Sequence, residues 1–292
     1  MTLETISACP ICHTNIFQPF ITAKDYTVSQ QDFQIVTCTR CGFTFTNPRP
    51  SADTIHQFYQ SENYISHTGG SGGLMDRLYR LARNFTLRWK EKIVADYSTG
   101  KKLLDYGCGT GNFLGYMKRK KWEVTGVEPA AEAREKASAY ATVYPGLDSA
   151  TETYTAITLW HVLEHIHDLN QKLIDLKNKL APSGTIFIAV PNYKSADAKH
   201  YAGHWAAYDV PRHLWHFDRH AMETALTQAG LKLEKIIPMK LDAYYVALLS
   251  ESYKKPKATS RYVNAFWQAF KSNHAAARTG EFSSLIYIAK PI

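Results

Sequence analysis

The chain has no long apolar run, no internal repeat and no low-complexity tract. Its purely apolar stretches are short, such as Tyr244–Leu249, whereas a transmembrane helix needs about 20 apolar residues. The first ten residues also lack the basic start and apolar stretch of a secretory signal. With 21% charged and 45% hydrophobic residues, the 292-residue chain is predicted to be globular rather than disordered. We therefore expect no transmembrane segment and a cytoplasmic location.

Positive charge is only mildly in excess over negative charge. The 34 Lys and Arg residues against 26 Asp and Glu residues give a net charge of +8. This excess permits an anionic partner such as nucleic acid but does not require one.

Cysteine is sparse, yet four of the five cysteines form two Cys-x-x-Cys pairs, Cys9 with Cys12 and Cys38 with Cys41. In a chain with no recognisable export signal, such pairs indicate metal ligands rather than disulfides.

The two Cys-x-x-Cys pairs, separated by 25 residues, predict a tetrahedral site of four thiolates, which suits zinc. Four protein ligands close the coordination shell, so the predicted role of the metal is structural rather than catalytic. A unit of about 40 residues builds little hydrophobic core by itself, and the metal is expected to replace one. A redox function of the pairs and a chance occurrence are the alternatives.

Three zones follow one another along the chain. A zinc-binding knuckle is predicted at 1–50, a helical connector or lid at 51–98, and a larger domain at 99–292 with a helical insertion at about 241–278. The larger domain alternates strand-like stretches, such as Lys102–Tyr106 and Glu123–Val127, with helical ones, such as Asn112–Arg119. Such alternation predicts an α/β fold, a parallel sheet with helices on both faces. The apolar run Ser284–Ala289 is expected to return as a final strand.

A glycine-rich segment, Asp105–Gly111 (DYGCGTG), follows the first of these strands and opens a helix. A turn of this kind lets a cofactor approach the backbone at the carboxyl end of the sheet. The dinucleotide-binding fingerprint fails because Asn112 stands where its third glycine is required. A P-loop fails because no GKS or GKT follows. A tight structural turn without a ligand is the alternative interpretation.

The pattern Asp-x-Gly-x-Gly-x-Gly resembles motif I of class I S-adenosylmethionine-dependent methyltransferases. Three further features agree with that family in order: Glu128 at the end of the second strand, Thr155–His165 with its LEH signature, and Gly184–Asn192 (GTIFIAVPN). The resemblance covers about 99–292. It implies a Rossmann-like sheet, mostly parallel with an antiparallel final strand, beside a small N-terminal domain similar to a zinc ribbon.

The resemblance also implies which residues bind the cofactor. The glycine loop would surround the methionine portion and the sugar, and Glu128 would accept hydrogen bonds from the ribose diol. Leu147 would flank the adenine, with Asp148 beside it as an alternative contact. The complete predicted set is Asp105, Gly107, Cys108, Gly109, Gly111, Glu128, Pro129, Leu147, Trp160 and His161, with Tyr64 and His67 as lid residues. Core packing is the alternative for Tyr64.

Histidine would serve as the general base if the acceptor is an unactivated hydroxyl or a carbon acid. His161 and His213 are the predicted catalytic residues. The aromatic and basic segment Tyr201–Phe217 is predicted to form the acceptor pocket. In it, Arg212 or His213 would face an anionic or hydroxylated substrate. The predicted substrate contacts are Tyr208, Arg212, His213 and His216.

The combination of leader and methyltransferase motifs resembles sugar C-methyltransferases that act on nucleotide-linked deoxysugars, without their extra C-terminal domain. Quinone and lipid methyltransferases share the LEH signature but usually lack the zinc leader. We therefore predict methyl transfer from S-adenosylmethionine to a sugar-, lipid- or quinone-like small molecule, by C- or O-methylation, with the oligomeric state left open. One alternative is an RNA base methyltransferase with a zinc ribbon, although the expected interleaving of aromatic and basic residues is not evident. The other is a non-catalytic cofactor-binding protein that docks partners through its knuckle.

Overall fold

The computed structural model describes residues 2–59, 74–254 and 258–292. The leader, residues 2–50, is built from strands rather than helices. Its strands are β1 (Leu3–Glu4), β2 (Phe17–Lys24), β3 (Asp32–Cys38), β4 (Thr44–Thr46) and β5 (Arg49–Pro50). Strands β2, β3 and β4 are antiparallel neighbours. The side-chain alternation of the sequence at Phe33–Thr37 and Phe43–Thr46 is typical of strands and agrees with β3 and β4.

The rest of the chain alternates helices and strands. The helices are α1 (Leu74–Tyr97), α2 (Asn112–Arg119), α3 (Ala131–Ala137), α4 (Leu169–Asn178), α5 (Ala196–Tyr201), α6 (Arg219–Gln228), α7 (Asp242–Lys254) and α8 (Arg261–Thr279). The strands are β6 (Lys102–Tyr106), β7 (Glu123–Val127), β8 (Thr142–Tyr144), β9 (Tyr154–Trp160), β10 (Leu180–Pro191), β11 (Trp215–His216), β12 (Leu231–Pro238) and β13 (Ser284–Pro291). Helices α7 and α8 lie between β12 and β13.

The central sheet has the order β12-β13-β10-β9-β6-β7-β8, seven strands within the described residues. Strands β6 to β10 run parallel to one another, and β13 is antiparallel to both β10 and β12. The predicted α/β fold, a mostly parallel Rossmann-like sheet whose final strand is antiparallel, is confirmed. Crossover helices follow from this order, because parallel strands cannot be joined by a tight turn.

Both faces of the central sheet are covered, which explains its nearly continuous apolar strands. Along β10, Ile186 and Ile188 belong to one core cluster, which also contains buried leucines of α4. The intervening Phe187 and Ala189 belong to the opposite cluster, which contains buried residues of α1 and α2. This period of two is the alternation of side chains expected of a strand. Among the described residues, none of the helices combines the length and apolar character that crossing a bilayer requires.

A strand of the larger domain completes the sheet of the leader. Strand β11 pairs with β4, with Trp215 opposite Phe45 and His216 opposite Thr44. The ring of Phe43 lies 5.7 Å from that of Trp215 and 5.9 Å from that of Phe217, centroid to centroid. The leader therefore shares its core with the larger domain, which supplies the apolar burial that so short a unit lacks.

A buried ionic network fastens the leader at a second point. The guanidinium of Arg212 donates to Asp209 Oδ1 at 2.6 Å, to Asp25 Oδ1 at 3.1 Å and to the Phe58 carbonyl oxygen at 3.0 Å. The side chains of Arg212 and Asp25 are 1% and 0% exposed. Asp25 also accepts hydrogen bonds from the backbone N–H groups of Thr27 and Ser29. The two carboxylates and the backbone oxygen compensate the buried charge, as its desolvation requires.

Replacing Asp25 with alanine tests this network. We expect Asp25→Ala to lower the free energy of unfolding by about 3 kcal/mol or more, because it leaves part of the Arg212 charge uncompensated and removes the acceptor of buried N–H groups. Asp96→Ala, which removes the exposed ion pair with Lys92, should cost about 0.5 kcal/mol or less. Urea unfolding of the two variants measures both effects, and equal effects would contradict the assignment.

Candidate functional site

The glycine loop between β6 and α2 is shaped by three glycines in the left-handed region, Gly107, Gly109 and Gly111, with φ of 74°, 53° and 78°. A Cβ at Gly107 would lie 2.5 Å from a methyl group of Val162, and one at Gly111 would lie 2.8 Å from the Cα of Ala137. Two glycines are therefore required by the packing of the protein itself. Gly109 differs, because a Cβ there would meet no atom within 4 Å. Its backbone borders open space.

Glu128 lies at the end of β7 and is held in one orientation beside that space. Its Oε2 accepts a hydrogen bond from the Gly109 N–H at 2.9 Å, and its Oε1 accepts one from the Ala130 N–H at 2.9 Å. Each oxygen retains a second lone pair, and the residue is 9% exposed. The preceding Val127 accepts hydrogen bonds from the N–H groups of Gly107 and Cys108, which fixes the loop against β7.

Asp105 is the next-to-last residue of β6, below the loop, and is 2% exposed. Its Oδ1 accepts a hydrogen bond from the Thr158 hydroxyl at 2.7 Å. Burial raises the pKa of Asp105 to about 7 despite this bond and the nearby Lys90. Lys90, which sequence reasoning missed, lies with its Nζ 4.3 Å from the ring centroid of Trp160. It follows Trp89 on α1, but nothing local distinguishes it from the other basic residues of that helix.

The remaining predicted cofactor residues surround the same edge of the sheet. Leu147 is buried in a 3-10 turn after β8, while its neighbour Asp148 is exposed. Pro129 follows Glu128 and leads into α3. Cys108 is buried against the position of Gly126, where a Cβ would lie 2.8 Å from its Sγ, and burial raises its thiol pKa. Tyr64 and His67 lie outside the described residues.

His161, Glu164 and His165 follow β9, and His213 lies beside them. His161 has a φ of 57° and joins two carboxylates: its Nε2 is 2.9 Å from Asp242 Oδ2, and its Nδ1 is 3.5 Å from Glu164 Oε1. Burial alone would lower the pKa of His161, but hydrogen bonds to Asp242 and Glu164 outweigh it and raise the pKa to about 9. His161 is therefore protonated near neutral pH, which makes it a cation between two acids and a poor general base.

His213 is held differently. Its Nδ1 is 2.9 Å from the Ala207 carbonyl oxygen, which only accepts hydrogen bonds, so the ring proton lies on Nδ1 in the neutral form. The Nε2 atom then carries the lone pair, and it lies 4.0 Å from Glu164 Oε1 and 3.9 Å from Asp209 Oδ2. The ring of His165 packs edge-on at 4.6 Å between centroids. Burial and the neighbouring His213 lower the pKa of His165 to about 4, so this ring is neutral near pH 7.

A cleft of about 750 Å³ opens beside these histidines. The leader contributes Tyr26 and Thr27 to its lining, and α7 contributes Tyr245 and Tyr253. The ring of Tyr26 stacks on that of Tyr253, with centroids 4.3 Å apart and planes at 9°. Sequence reasoning missed these wall residues, since nothing in the local sequence indicates that the leader reaches α7. The loop that carries Tyr26 and Thr27 is held by Asp25, which accepts hydrogen bonds from the backbone of this loop and from Arg212.

The predicted acceptor contacts separate into two groups. His213 lines the cleft, whereas Tyr208, Arg212 and His216 are 3%, 1% and 4% exposed and are absent from its lining. His216 Nε2 is 3.0 Å from the Thr46 hydroxyl of β4. Arg212 directs all three guanidinium nitrogens at protein acceptors, so it cannot face a substrate as expected. Most of the Tyr201–Phe217 segment joins the leader to the larger domain.

The four leader cysteines converge. Cys9 Sγ is 3.5 Å from Cys41 Sγ, Cys12 Sγ is 3.4 Å from Cys38 Sγ, and all four sulfur atoms lie within 4.8 Å of one another. Sulfur atoms around a tetrahedral zinc, each about 2.3 Å from the metal, lie about 3.8 Å apart. The arrangement therefore fits zinc. Cys108, the fifth cysteine, is not part of this group.

Comparison with known proteins agrees with the architecture. A family model described as "Methyltransferase domain" matches residues 75–236, more than half of the chain. The ubiquinone biosynthesis O-methyltransferase of Schizosaccharomyces pombe mitochondria is 31% identical over 159 residues, 49% of this chain and 56% of that protein. The human mitochondrial protein of the same name is 27% identical over 164 residues, 48% and 44% of the two chains. The chain thus spans about half the length of the curated relatives it matches.

Solved structures are similar at the level of fold. StiE O-MT, residues 961–1257, has a TM-score of 0.50 at 15% identity, covering 76% of this chain and 78% of that one. A chain from the complex of the Haloferax volcanii Trm112 methyltransferase activator with a methyltransferase has a TM-score of 0.50 at 16% identity, covering 69% and 87%. These identities are low, so the likeness concerns the fold alone.

The raised pKa of His161 predicts a pH-dependent contribution to stability. Protonated His161 stabilises the fold fully below pH 6.5, its ordinary pKa, and this contribution is lost as the pH rises through about 9. Because protonation of His161 is linked to folding, the difference in melting temperature between the wild type and His161→Gln should be largest at about pH 6 and should shrink toward about pH 10. In an Asp242→Asn background the pH dependence should weaken. A difference that stays constant over this range would contradict the assignment.

Proposed function

The chain belongs to the methyltransferase-domain family, and from that premise we propose that it transfers the methyl group of S-adenosylmethionine to a small hydroxylated acceptor bound in the cleft beside His213. The proposal rests on the position of the glycine loop next to the cleft. The open space at Gly109 and the cleft at His161 lie at the same edge of the sheet, because β6 and β9 are adjacent parallel strands. Ligands of open α/β sheets bind at the carboxyl ends of such strands.

The residues at this edge fit the cofactor. The uncrowded backbone at Gly109 leaves room for a ligand that a side chain there would displace. Glu128 offers the free lone pairs of an oriented carboxylate, which suits two adjacent ribose hydroxyls. Leu147 supplies an apolar surface for adenine on the side of β8. When bound, S-adenosylmethionine supplies an electrophilic methyl group, and the protein aligns the acceptor and excludes water.

His213 is the residue we assign as general base. Its Nδ1–H donates to the Ala207 carbonyl oxygen, so Nε2 is free to accept the proton of an acceptor hydroxyl. The carboxylates of Glu164 and Asp209, each about 4 Å away, stabilise the imidazolium that this transfer forms. His161 takes a different role: as a cation it ties α7 to the exit of β9 through Asp242.

The charge and size of the cleft support a small acceptor that is not a polyanion. Asp209 and Asp242 line it, Glu164 lies behind it, and Arg212 is turned away. No Lys or Arg is among the described residues that line the cleft, so nothing there attracts a phosphate backbone, which disfavours an RNA substrate. The volume of about 750 Å³ is in the range of small-molecule sites. Stacked tyrosines from the leader and α7 suit a flat or apolar acceptor.

Cofactor affinity and turnover of paired variants test the proposal. Glu128→Gln should weaken S-adenosylhomocysteine binding by about 10-fold or more, since it removes a charged hydrogen-bond acceptor, while Glu132→Gln on the exposed face of α3 should not. His213→Gln should keep the affinity and lower kcat toward a panel of catechols and phenols by about 100-fold. Calorimetry and transfer of radiolabelled methyl groups provide the two measurements.

Two results would overturn it. If S-adenosylhomocysteine does not bind the wild type, the cofactor assignment fails. If it binds but no methyl group reaches any acceptor of the panel, the protein is a cofactor-binding module instead. A kcat that is unchanged in His213→Gln would remove this residue from the mechanism.

We propose that the cysteine cluster holds a structural zinc ion. Its four thiolates would complete the coordination shell and leave no open position for a reaction. The site lies at one end of the β2–β3 pair, since Cys9 and Cys12 precede β2 and Cys38 ends β3. The loop of Asp25 and Tyr26 lies at the other end of that pair, so the metal would act on the cleft only through the leader.

Metal removal tests the zinc proposal. The wild type should contain about one zinc ion per chain, and a strong chelator should lower the melting temperature by about 10 °C or more, because metal binding free energy becomes folding free energy. Cys38→Ser should lose the metal, whereas Cys108→Ser, which changes the cysteine outside the cluster, should retain it. Unchanged melting after complete chelation would contradict a structural role.

A further inference from the structure

Helix α8 turns its large apolar side chains away from the body of the protein. The residues that face the body of the protein are small, and those on the opposite side are large and aromatic. The buried positions are Ala265, Ala269, Ser272 and Ala276. The outward positions are Tyr262, Val263, Phe266, Trp267 and Phe270, between 49% and 60% exposed. A helix of a soluble domain normally turns its largest apolar side chains to the core, so this aromatic face of α8 requires a partner.

The aromatic face is continuous and reaches the rim of the cleft. Neighbouring ring centroids along α8 lie 6.1 Å apart from Phe266 to Trp267 and 5.9 Å apart from Trp267 to Phe270. Phe266 also contacts Tyr244 of α7, with centroids 5.6 Å apart. The next residue, Tyr245, is 54% exposed and lines the cleft. One apolar surface therefore extends from α8 to the cleft mouth.

The charge of the same region is strongly basic. The described residues between 240 and 279 include five Lys or Arg residues and two acidic ones. The two acids are not free at the surface: Asp242 pairs with His161, and Glu251 is 4% exposed and bonded to Tyr201. Lys271 and Arg278 are exposed on α8 itself. A second copy of this face would bring like charges together, whereas a negatively charged surface would be attracted.

We propose that the aromatic face of α8 docks the protein on a membrane surface that contains anionic lipid. Aromatic rings on one helix face, flanked by Lys and Arg, are the arrangement by which helices lie in a bilayer interface without crossing it. Basic residues at the surface add attraction to anionic headgroups. If the cleft is the acceptor site of the proposed function, its mouth then opens beside the lipid and favours an acceptor dissolved in the membrane.

Vesicle sedimentation with the full chain tests the docking without cofactor or acceptor. The wild type should bind sucrose-loaded vesicles of phosphatidylcholine with about one third phosphatidylglycerol more tightly than vesicles of phosphatidylcholine alone. Replacing Phe266, Trp267 and Phe270 together by serine should weaken partitioning by about 10-fold or more. Lys271→Glu combined with Arg278→Glu should also weaken it by about 10-fold. Ile16→Ser, which alters an exposed apolar residue of the leader, should have no effect.

Several outcomes would overturn the proposal. If the wild type binds neither kind of vesicle, the protein has no membrane-docking surface. If the aromatic triple variant binds vesicles as tightly as the wild type, the contact lies elsewhere on the protein. If light scattering shows that the wild type is a dimer and the triple variant a monomer, the face binds a second copy of the chain instead. Circular dichroism melting checks that each variant folds. If the triple variant does not fold, the paired charge substitution decides, because both of its positions are exposed.

Discussion

The arrangement of the site depends on the burial of one positive charge. Arg212 lies between Asp209, on its own segment, and Asp25, at the start of a loop in the leader. A guanidinium that is 1% exposed must be compensated, and here the compensation comes from parts of the chain that are far apart in sequence. The same Arg212 donates to the Phe58 carbonyl oxygen, so the chain beyond the leader is fixed as well.

This constraint explains why a cysteine-rich leader accompanies the sheet of a methyltransferase. The leader is not a separate unit on a linker: β11 completes its sheet, and its aromatic core includes Trp215. The Asp25 loop places Tyr26 against Tyr253, so the leader and α7 together form a wall of the cleft. The cysteine cluster, the burial of Arg212 and the shape of the cleft are thus linked through the β2–β3 pair rather than through direct contact.

Local patterns were sufficient for the fold but not for the partners of the site. Strand β6 and helix α2 have the predicted boundaries because apolar runs and glycines are local signals. The role of Arg212 was mistaken because its partner Asp25 is 187 residues away in sequence. Likewise, the protonation of His161 depends on Asp242, 81 residues downstream. Such pairings arise only when the sheet brings distant segments together.

The central claim is that the cofactor loop, His213 and the leader form one site. A crystal structure with S-adenosylhomocysteine tests it most directly. In that structure the ribose hydroxyls should contact Glu128, and the open side of the sulfur atom should face the cleft between His213 and Tyr26. A sulfur atom that faces away from that cleft, or a leader loop that lies apart from it, would contradict the account.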